Sequence, residues 1–145
     1  MIIALQIAEK RGPMMSRDEV RAVAGRGLEG DRYFDDRLKP GRQITLIEAE
    51  AIEALERDYK VKLEARDARR NVVVRGVALN HLVGREFKIG DVLLRGVRLC
   101  EPCEHLAKLT GAAVIPGLVH RGGLRADILT DGTIRIGDRL WNSER

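Results

Sequence analysis

Residues 99–106 of this chain, LCEPCEHL, combine the residue types that most often do chemistry. The stretch holds both cysteines of the chain, Cys100 and Cys103, together with Pro102 and His105. Two cysteines at this spacing can form a redox pair, bind zinc, include one reactive thiolate, or be buried as small apolar residues. These four interpretations make different demands on the rest of the chain.

Two of the interpretations lack the surroundings that they need. A redox Cys-x-x-Cys pair lies in a βαβ unit, and the second half of the chain lacks regular strand–helix alternation. A structural zinc site takes four tetrahedral ligands, and there is no second Cys-x-x-Cys. A zinc-stabilised binding module stays an alternative, with the nearby candidate ligands Cys100, Cys103, His105 and His120.

The two cysteines are not equivalent. Cys100 follows the alternating stretch 97–99, so we expect it to be buried and inert at a strand end. Cys103 follows Pro102, where a helix begins, and the N–H groups there stabilise a thiolate, although neighbouring glutamates oppose this effect. His105, two residues further along a helix, points away from Cys103. Cys103 is therefore the candidate for a nucleophile or a ligand to a soft metal.

Arginine-bearing loops beside predicted strands are the second chemical feature. Arginine makes bidentate contacts with phosphate and carboxylate groups. Each loop alone is typical of a solvated connection, and Asp31 could simply hold Arg32. Converging at one mouth of a barrel, they would form a pocket for an anion. The loops are RGLEGDR (26–32), GRQ (41–43), RRN (69–71) and HRGG (120–123).

Composition limits the class of protein. A chain of 145 residues fits a single domain, 1–145, that can fold without a disulfide or a metal. Aromatic residues make up 3%, so the core must consist of aliphatic side chains. The net charge of +4 comes without a long basic run or interleaved aromatics. A nucleic-acid surface is therefore only weakly supported and a small anionic ligand explains the dispersed arginines equally well, so no nucleic-acid partner is expected.

The N-terminal stretch MIIALQIAEKRG has no basic region before a short apolar run. It predicts neither a signal peptide nor a membrane span. We therefore expect a cytoplasmic protein with reduced thiols and no membrane partner.

The elements that must position these residues are mostly strands. Alternating or β-branched runs predict strands at 2–8, 44–47, 72–74 and 125–130. A helical period runs from Ile47 to Tyr59, and Thr45 and Glu48 have the spacing of a capping box. The stretch CEHLAKLTG predicts one or two further helical turns.

Two stretches, 87–93 and 134–140, share the pattern apolar-x-Ile-Gly-Asp-x-Leu. Glycine and aspartate allow the positive φ of a tight connection, so the stretches predict similar turns in one sheet system. The fold class that follows is mainly β: a closed or nearly closed barrel with a few peripheral α-helices.

Five stretches in order resemble the MOSC domain, found at the C-terminus of molybdenum cofactor sulfurases and in stand-alone bacterial proteins. The resemblance covers nearly the whole chain, and it rests on the order of the stretches rather than on one of them. They are GLEGDRYF, GRQITLIEAEAIEAL, RRNVVVRGVALNHLVGREFKIGDVLL, LCEPCEHL and RGGLRADIL with GTIRIGDRL.

The resemblance implies a MOSC-type β-barrel that binds the molybdenum cofactor, a phosphorylated pterin (molybdopterin) whose dithiolene holds the metal. A cysteine in a Pro-Cys context is the family's proposed sulfur carrier or molybdenum ligand, and Cys103 matches it. By the same matching, the residues expected to bind the cofactor are Arg32, Arg42, Arg70, Asn71 and Arg121.

The resemblance also implies a reaction class: reduction of N-hydroxylated compounds, or sulfur transfer for cofactor and metal–sulfur assembly. Either would need an electron-donor or sulfur-donor protein. The chain is too short for the pyridoxal-phosphate domain of the sulfurases, so no pyridoxal phosphate site is expected. The alternative from another class is a non-catalytic module that carries the cofactor to a partner enzyme.

Overall fold

The computed structural model of the chain consists mostly of an eight-stranded sheet that is curled into a half-barrel. The structure describes residues 1–10, 12–37, 39–60, 62, 64, 68–100 and 122–142. The strands in these ranges are β1 (Ile2–Ile7), β2 (Met15–Arg17), β3 (Glu19–Val23), β4 (Gly27–Leu28), β5 (Ile44–Glu48), β6 (Val72–Val74), β7 (Glu86–Ile89), β8 (Val92–Leu99), β9 (Leu124–Ile128), β10 (Gly132–Arg135) and β11 (Leu140–Asn142). Helix α1 spans Ala49–Tyr59, and a 3₁₀ helix spans Leu79–Leu82.

The large sheet has the order β11-β7-β8-β9-β5-β6-β1-β2, and a smaller sheet has the order β10-β3-β4. Neighbouring strands are antiparallel except for β5 and β6, which are parallel. Parallel neighbours need a crossover connection, and α1 lies in it. The predicted mainly β fold is confirmed, with α1 as the peripheral α-helix of the described part.

Alternation along the central strands builds two apolar cores. Successive side chains of a strand point to opposite faces of its sheet. Val72 and Val74 of β6 therefore lie in the larger core, whereas Val73 lies in a second core beneath α1. The second core also contains Ile47 of β5 and Leu55 of α1.

The start of α1 differs from the prediction. The helix begins at Ala49 rather than Ile47, and the proposed capping box is wrong because its N-cap, Glu48, makes no side-chain capping bond. The Thr45 hydroxyl instead donates to Asn71 Oδ1 at 3.1 Å. The Glu48 carboxylate accepts the Leu79 N–H at 3.3 Å, so both side chains hold neighbouring elements in place.

The two Gly-Asp turns lie against each other but differ in role. The first closes the β7–β8 hairpin, with Gly90 at φ 57°, and the second joins β10 in the small sheet to β11 in the large one. The Gly90 N–H donates to the Arg139 carbonyl at 3.0 Å. The predicted strand at 125–130 is β9, while the predicted turns in CEHLAKLTG lie outside the described residues.

Candidate functional site

The cysteine motif begins where β8 ends. Cys100 is 2% exposed, as predicted for a buried cysteine, and its thiol is free. Its N–H donates to the Gly123 carbonyl at 2.7 Å, so the two ends of the stretch between them are joined. We call this hydrogen-bonded pair, Cys100 and Gly123, the segment base. Cys103 and Arg121, both predicted site residues, lie outside the described residues.

Arg70 lies beside the segment base and is 7% exposed. Its Nε donates to the Gly122 carbonyl at 2.9 Å and its Nη1 to the Ala68 carbonyl at 3.3 Å. Its Nη2 is buried and has no hydrogen-bond partner among the described residues. Within the described ranges its partners are neutral carbonyls, which do not compensate the guanidinium charge, and a buried cation without a counter-charge is costly. This makes Arg70 a position where an anion would be stabilised.

Asn71 is fully buried, and its side chain joins three strand ends. Its Oδ1 accepts hydrogen bonds from the Thr45 N–H at 3.0 Å and the Thr45 hydroxyl at 3.1 Å. Its Nδ2 donates to the Gln6 carbonyl at 3.2 Å, and Gln6 Nε2 donates to the Arg70 carbonyl at 2.8 Å. In this arrangement Gln6, which Asn71 holds in place, positions the backbone of Arg70.

Arg32 has a carboxylate partner, as the sequence suggested. Its Nη1 lies 3.2 Å from Asp31 Oδ1, and its Nη2 donates to the Arg69 carbonyl at 3.1 Å. The guanidinium also stacks over the Tyr33 ring at 4.4 Å from its centre. Asp31 Oδ1 accepts the Ala8 N–H at 3.0 Å, so this pair ties the end of β1 to the 69–71 loop.

Arg42 differs from the other predicted arginines. It is exposed, and among the described residues its guanidinium has no ion pair. The described contacts therefore join Arg32, Arg70 and Asn71 into one network, and Arg42 is not part of it.

The sequence reasoning missed two residues of this network, Gln6 and Thr45. Both are polar positions within otherwise apolar strands, and both are at most 3% exposed. A buried polar side chain needs hydrogen-bond partners, so an amide or hydroxyl inside an apolar strand is a signal for such a network.

Metal ligation by described residues has no support. No group of three or more histidine, cysteine, aspartate or glutamate side chains in the described ranges could hold a metal ion. Nor does any helix of the described part have the length and apolar character needed to cross a bilayer.

A half-barrel sheet and a buried arginine without a described counter-charge at the segment base together define a β-rich domain with a candidate anion site. The family model for the MOSC domain matches residues 34–141, and the chain belongs to this family. The family that the ordered stretches indicated is thereby confirmed.

Solved structures share the fold at low sequence identity. The YuaD protein from Bacillus subtilis has a TM-score of 0.82 and 18% identity, covering 97% of this chain and 94% of that one. YiiM from Geobacillus stearothermophilus has a TM-score of 0.79 and 16% identity, covering 100% and 75%. YiiM from Escherichia coli has a TM-score of 0.73 and 16% identity, covering 99% and 70%. The search of curated proteins found no match.

Proposed function

We propose that this MOSC protein binds the molybdenum cofactor, with Arg70 contacting an anionic group of the cofactor. The observation that carries the proposal is the buried Nη2 of Arg70, which has no hydrogen-bond partner in the part of the chain that the structure describes. A phosphate or other anion there would accept that hydrogen bond and compensate the charge. The chain belongs to a family that is associated with the molybdenum cofactor, and this supports the cofactor as the ligand.

The other predicted residues fit this ligand in different ways. Arg42, exposed and without an ion pair among the described residues, is available to contact an anion. Arg32 and Asn71, whose hydrogen bonds are made within the protein, would position the 69–71 loop. We propose Arg121, which directly precedes Gly122 in the sequence, as a further contact.

Cys103 is proposed as the thiolate that ligates molybdenum or carries sulfur. Thiolates suit soft metals, and Cys100, the other cysteine, is buried. When bound, the cofactor would supply redox chemistry suited to N-hydroxylated substrates. The role of this chain would be to bind the cofactor through the chain's own arginines and to present the Cys103 thiolate to it.

The test is to purify the protein from a host that makes the molybdenum cofactor and to measure molybdenum, zinc and pterin. We expect molybdenum and pterin in the wild type and a loss of most of the molybdenum in Cys103→Ala. Cys100→Ala is the matched control and should retain molybdenum. A wild-type protein without molybdenum and pterin would refute the proposal, and zinc lost in Cys100→Ala would favour the zinc-stabilised module.

Arg70→Gln tests the anion contact. The variant removes the charge but keeps a hydrogen-bond donor for the Gly122 carbonyl, so we expect a folded protein with about tenfold weaker pterin retention. Arg57→Gln, which alters an exposed pair with Asp58 on α1, is the control and should retain pterin. Cofactor retention without reduction of N-hydroxylaminopurine by an artificial donor would favour the carrier over the enzyme.

A further inference from the structure

Arg98 of β8 and Arg125 of β9 lie directly opposite each other in the large sheet. Leu124 and Ala126, the neighbours of Arg125 in β9, are buried in the larger core, so Arg125 lies on the outer face. Arg98 is exposed and Arg125 is half-buried. Like charges in directly opposite positions repel each other, which makes this pair unfavourable on its own.

Neither arginine has a carboxylate partner among the described residues. Six other exposed arginines in those ranges do have one, at nitrogen–oxygen distances of 2.8 to 3.6 Å, whereas four others, such as Arg42, do not. Because Arg98 and Arg125 lie opposite each other and neither has a carboxylate partner in the described ranges, they form an uncompensated positive patch on the outer face. The compensated pairs are Arg26–Asp36, Arg37–Asp35, Arg57–Asp58, Arg75–Glu53, Arg95–Glu86 and Arg135–Glu19.

Both guanidinium groups approach Gly41, in the turn before β5. Arg125 Nη1 donates to the Gly41 carbonyl at 3.4 Å, and Arg98 Nη1 lies 2.9 Å from the position that a Cβ of residue 41 would occupy. Gly41 has a φ of 76°, which also favours glycine. Asp127 accepts the Gly41 N–H at 2.7 Å and is the acidic side chain bonded to this turn.

We propose that Arg98 and Arg125, held together at Gly41, bind the phosphate or pyrophosphate group of a small molecule on the outer face of the half-barrel. Two guanidinium groups offer bidentate hydrogen bonds to phosphate oxygens, and the bound anion removes their mutual repulsion. The pair lies two residues along β8 and β9 from the segment base, about 7 Å away.

This inference extends the proposed function, and it rests on that function for the identification of the molybdenum cofactor as a ligand. The phosphate of the molybdenum cofactor is one source of the anion, and another phosphorylated small molecule is the second. The anion site itself follows from the charges and the contacts of Gly41, so it can be tested without the cofactor.

The test of the site is a calorimetric titration of the full chain with inorganic pyrophosphate at low salt. We expect binding by the wild type and at least about fivefold weaker binding by Arg98→Ala and by Arg125→Ala. Arg135→Ala, which removes an exposed arginine paired with Glu19, should stay within about twofold. No binding by the wild type, or an equal loss in Arg135→Ala, would overturn the inference.

Asp127→Asn supplies a variant that should gain affinity. The amide oxygen can still accept the Gly41 N–H, so the turn is kept while a negative charge beside the site is removed. We expect pyrophosphate to bind about twofold to fivefold more tightly. Unchanged or weaker binding would contradict an electrostatic site, because a purely structural pair of arginines gives no reason for a gain.

The source of the phosphate is decided by the pterin retained after purification from a host that makes the cofactor. Lower retention in Arg98→Ala and Arg125→Ala would assign the site to the cofactor's phosphate. Unchanged retention with lost pyrophosphate binding would assign the site to another phosphorylated small molecule. A wild type without pterin would count against the proposed function, while the pyrophosphate titration would still decide the site.

Discussion

The side chains of Gln6, Thr45 and Asn71 belong to one hydrogen-bond network where β1, β5 and β6 meet. The Asn71 side chain pairs backbone groups of Thr45 and Gln6 at these strand ends, and the Gln6 side chain holds Arg70 by its carbonyl. A buried network of this kind is favourable only when every member is paired. The position of Arg70 therefore depends on residues that would not contact a ligand themselves.

Removing the Asn71 side chain should destabilise the fold strongly. Asn71→Ala leaves the Thr45 N–H and the Gln6 carbonyl without these partners in a buried place, and each unpaired group costs about 1–3 kcal/mol. We expect the free energy of unfolding in urea to fall by about 3 kcal/mol. Ser16→Ala, at an exposed position of β2, should change it by less than about 0.5 kcal/mol. A loss below about 1 kcal/mol in Asn71→Ala would show that the network is dispensable.

The candidate site was only partly predictable at the residue scale. The pairing of Arg32 with Asp31 follows from their adjacency, and the burial of Cys100 follows from its residue type. The burial of Arg70 and the Arg98–Arg125 pair depend on strand pairing between distant parts of the chain. Single-sequence patterns carry local periodicity, and they do not specify which strands become neighbours.

At the scale of elements, local signals predicted the strands and the helix but not their partners. Alternation and β-branched runs located β1, β6 and β9, and the glycine turn located the β7–β8 hairpin. The similar turn after β10 gave no sign that its two strands belong to different sheets. The capping box failed because Thr45 lies within β5, before the N-cap of α1. Its hydroxyl bonds Asn71 instead of the backbone of the helix.

Close approach of β5 to the segment base requires glycine at position 123. Gly123 has a φ of 108°, and a Cβ there would overlap the Leu46 carbonyl oxygen, at a separation of 1.9 Å. Gly123→Ala must therefore move β9 away from β5 or disturb the Cys100–Gly123 hydrogen bond. We expect a loss of about 3 kcal/mol or more in the free energy of unfolding, measured in urea.

Gly76→Ala is the matched control for this substitution. Gly76 also has a positive φ, 78°, but a Cβ there would have no atom within 4 Å. Its cost should be that of the backbone conformation alone, about 1–2 kcal/mol. Equal losses in the two variants would show that φ, and not the contact with Leu46, determines the requirement at position 123.

At the scale of the whole molecule, some arginines of the described part have a carboxylate partner and others do not. Pairs such as Arg75–Glu53 compensate exposed arginines, whereas Arg70, Arg98 and Arg125 have no carboxylate partner among the described residues. Folding has thus left positive charge beside the segment base at some cost in stability. A bound anion would recover that cost, and ligands that bind the native state stabilise it by mass action.

The ion pairs Lys39–Asp35 and Arg75–Glu53 predict how stability changes in acid. Hydrogen bonds from the Arg37 N–H and from Lys39 lower the pKa of Asp35 to about 2, from an ordinary value of 3.8. The hydrogen bond from Arg75 lowers the pKa of Glu53 from its ordinary value of 4.5. A carboxyl with a lowered native pKa stabilises the fold above its unfolded pKa and loses that contribution as the pH falls through the native value.

We therefore expect the free energy of unfolding to fall between about pH 4.5 and pH 2, and to fall less steeply in the double variant Asp35→Asn, Glu53→Gln. The variant should be less stable than the wild type at pH 7 and should approach it near pH 2, because both proteins then lack these charges. Urea unfolding followed by circular dichroism across this range measures the slope directly. A carboxyl titration by NMR in Lys39→Ala gives an independent check, since removing Lys39 should raise the pKa of Asp35. Parallel pH profiles for the wild type and the double variant would show that these two pairs do not link protonation to folding.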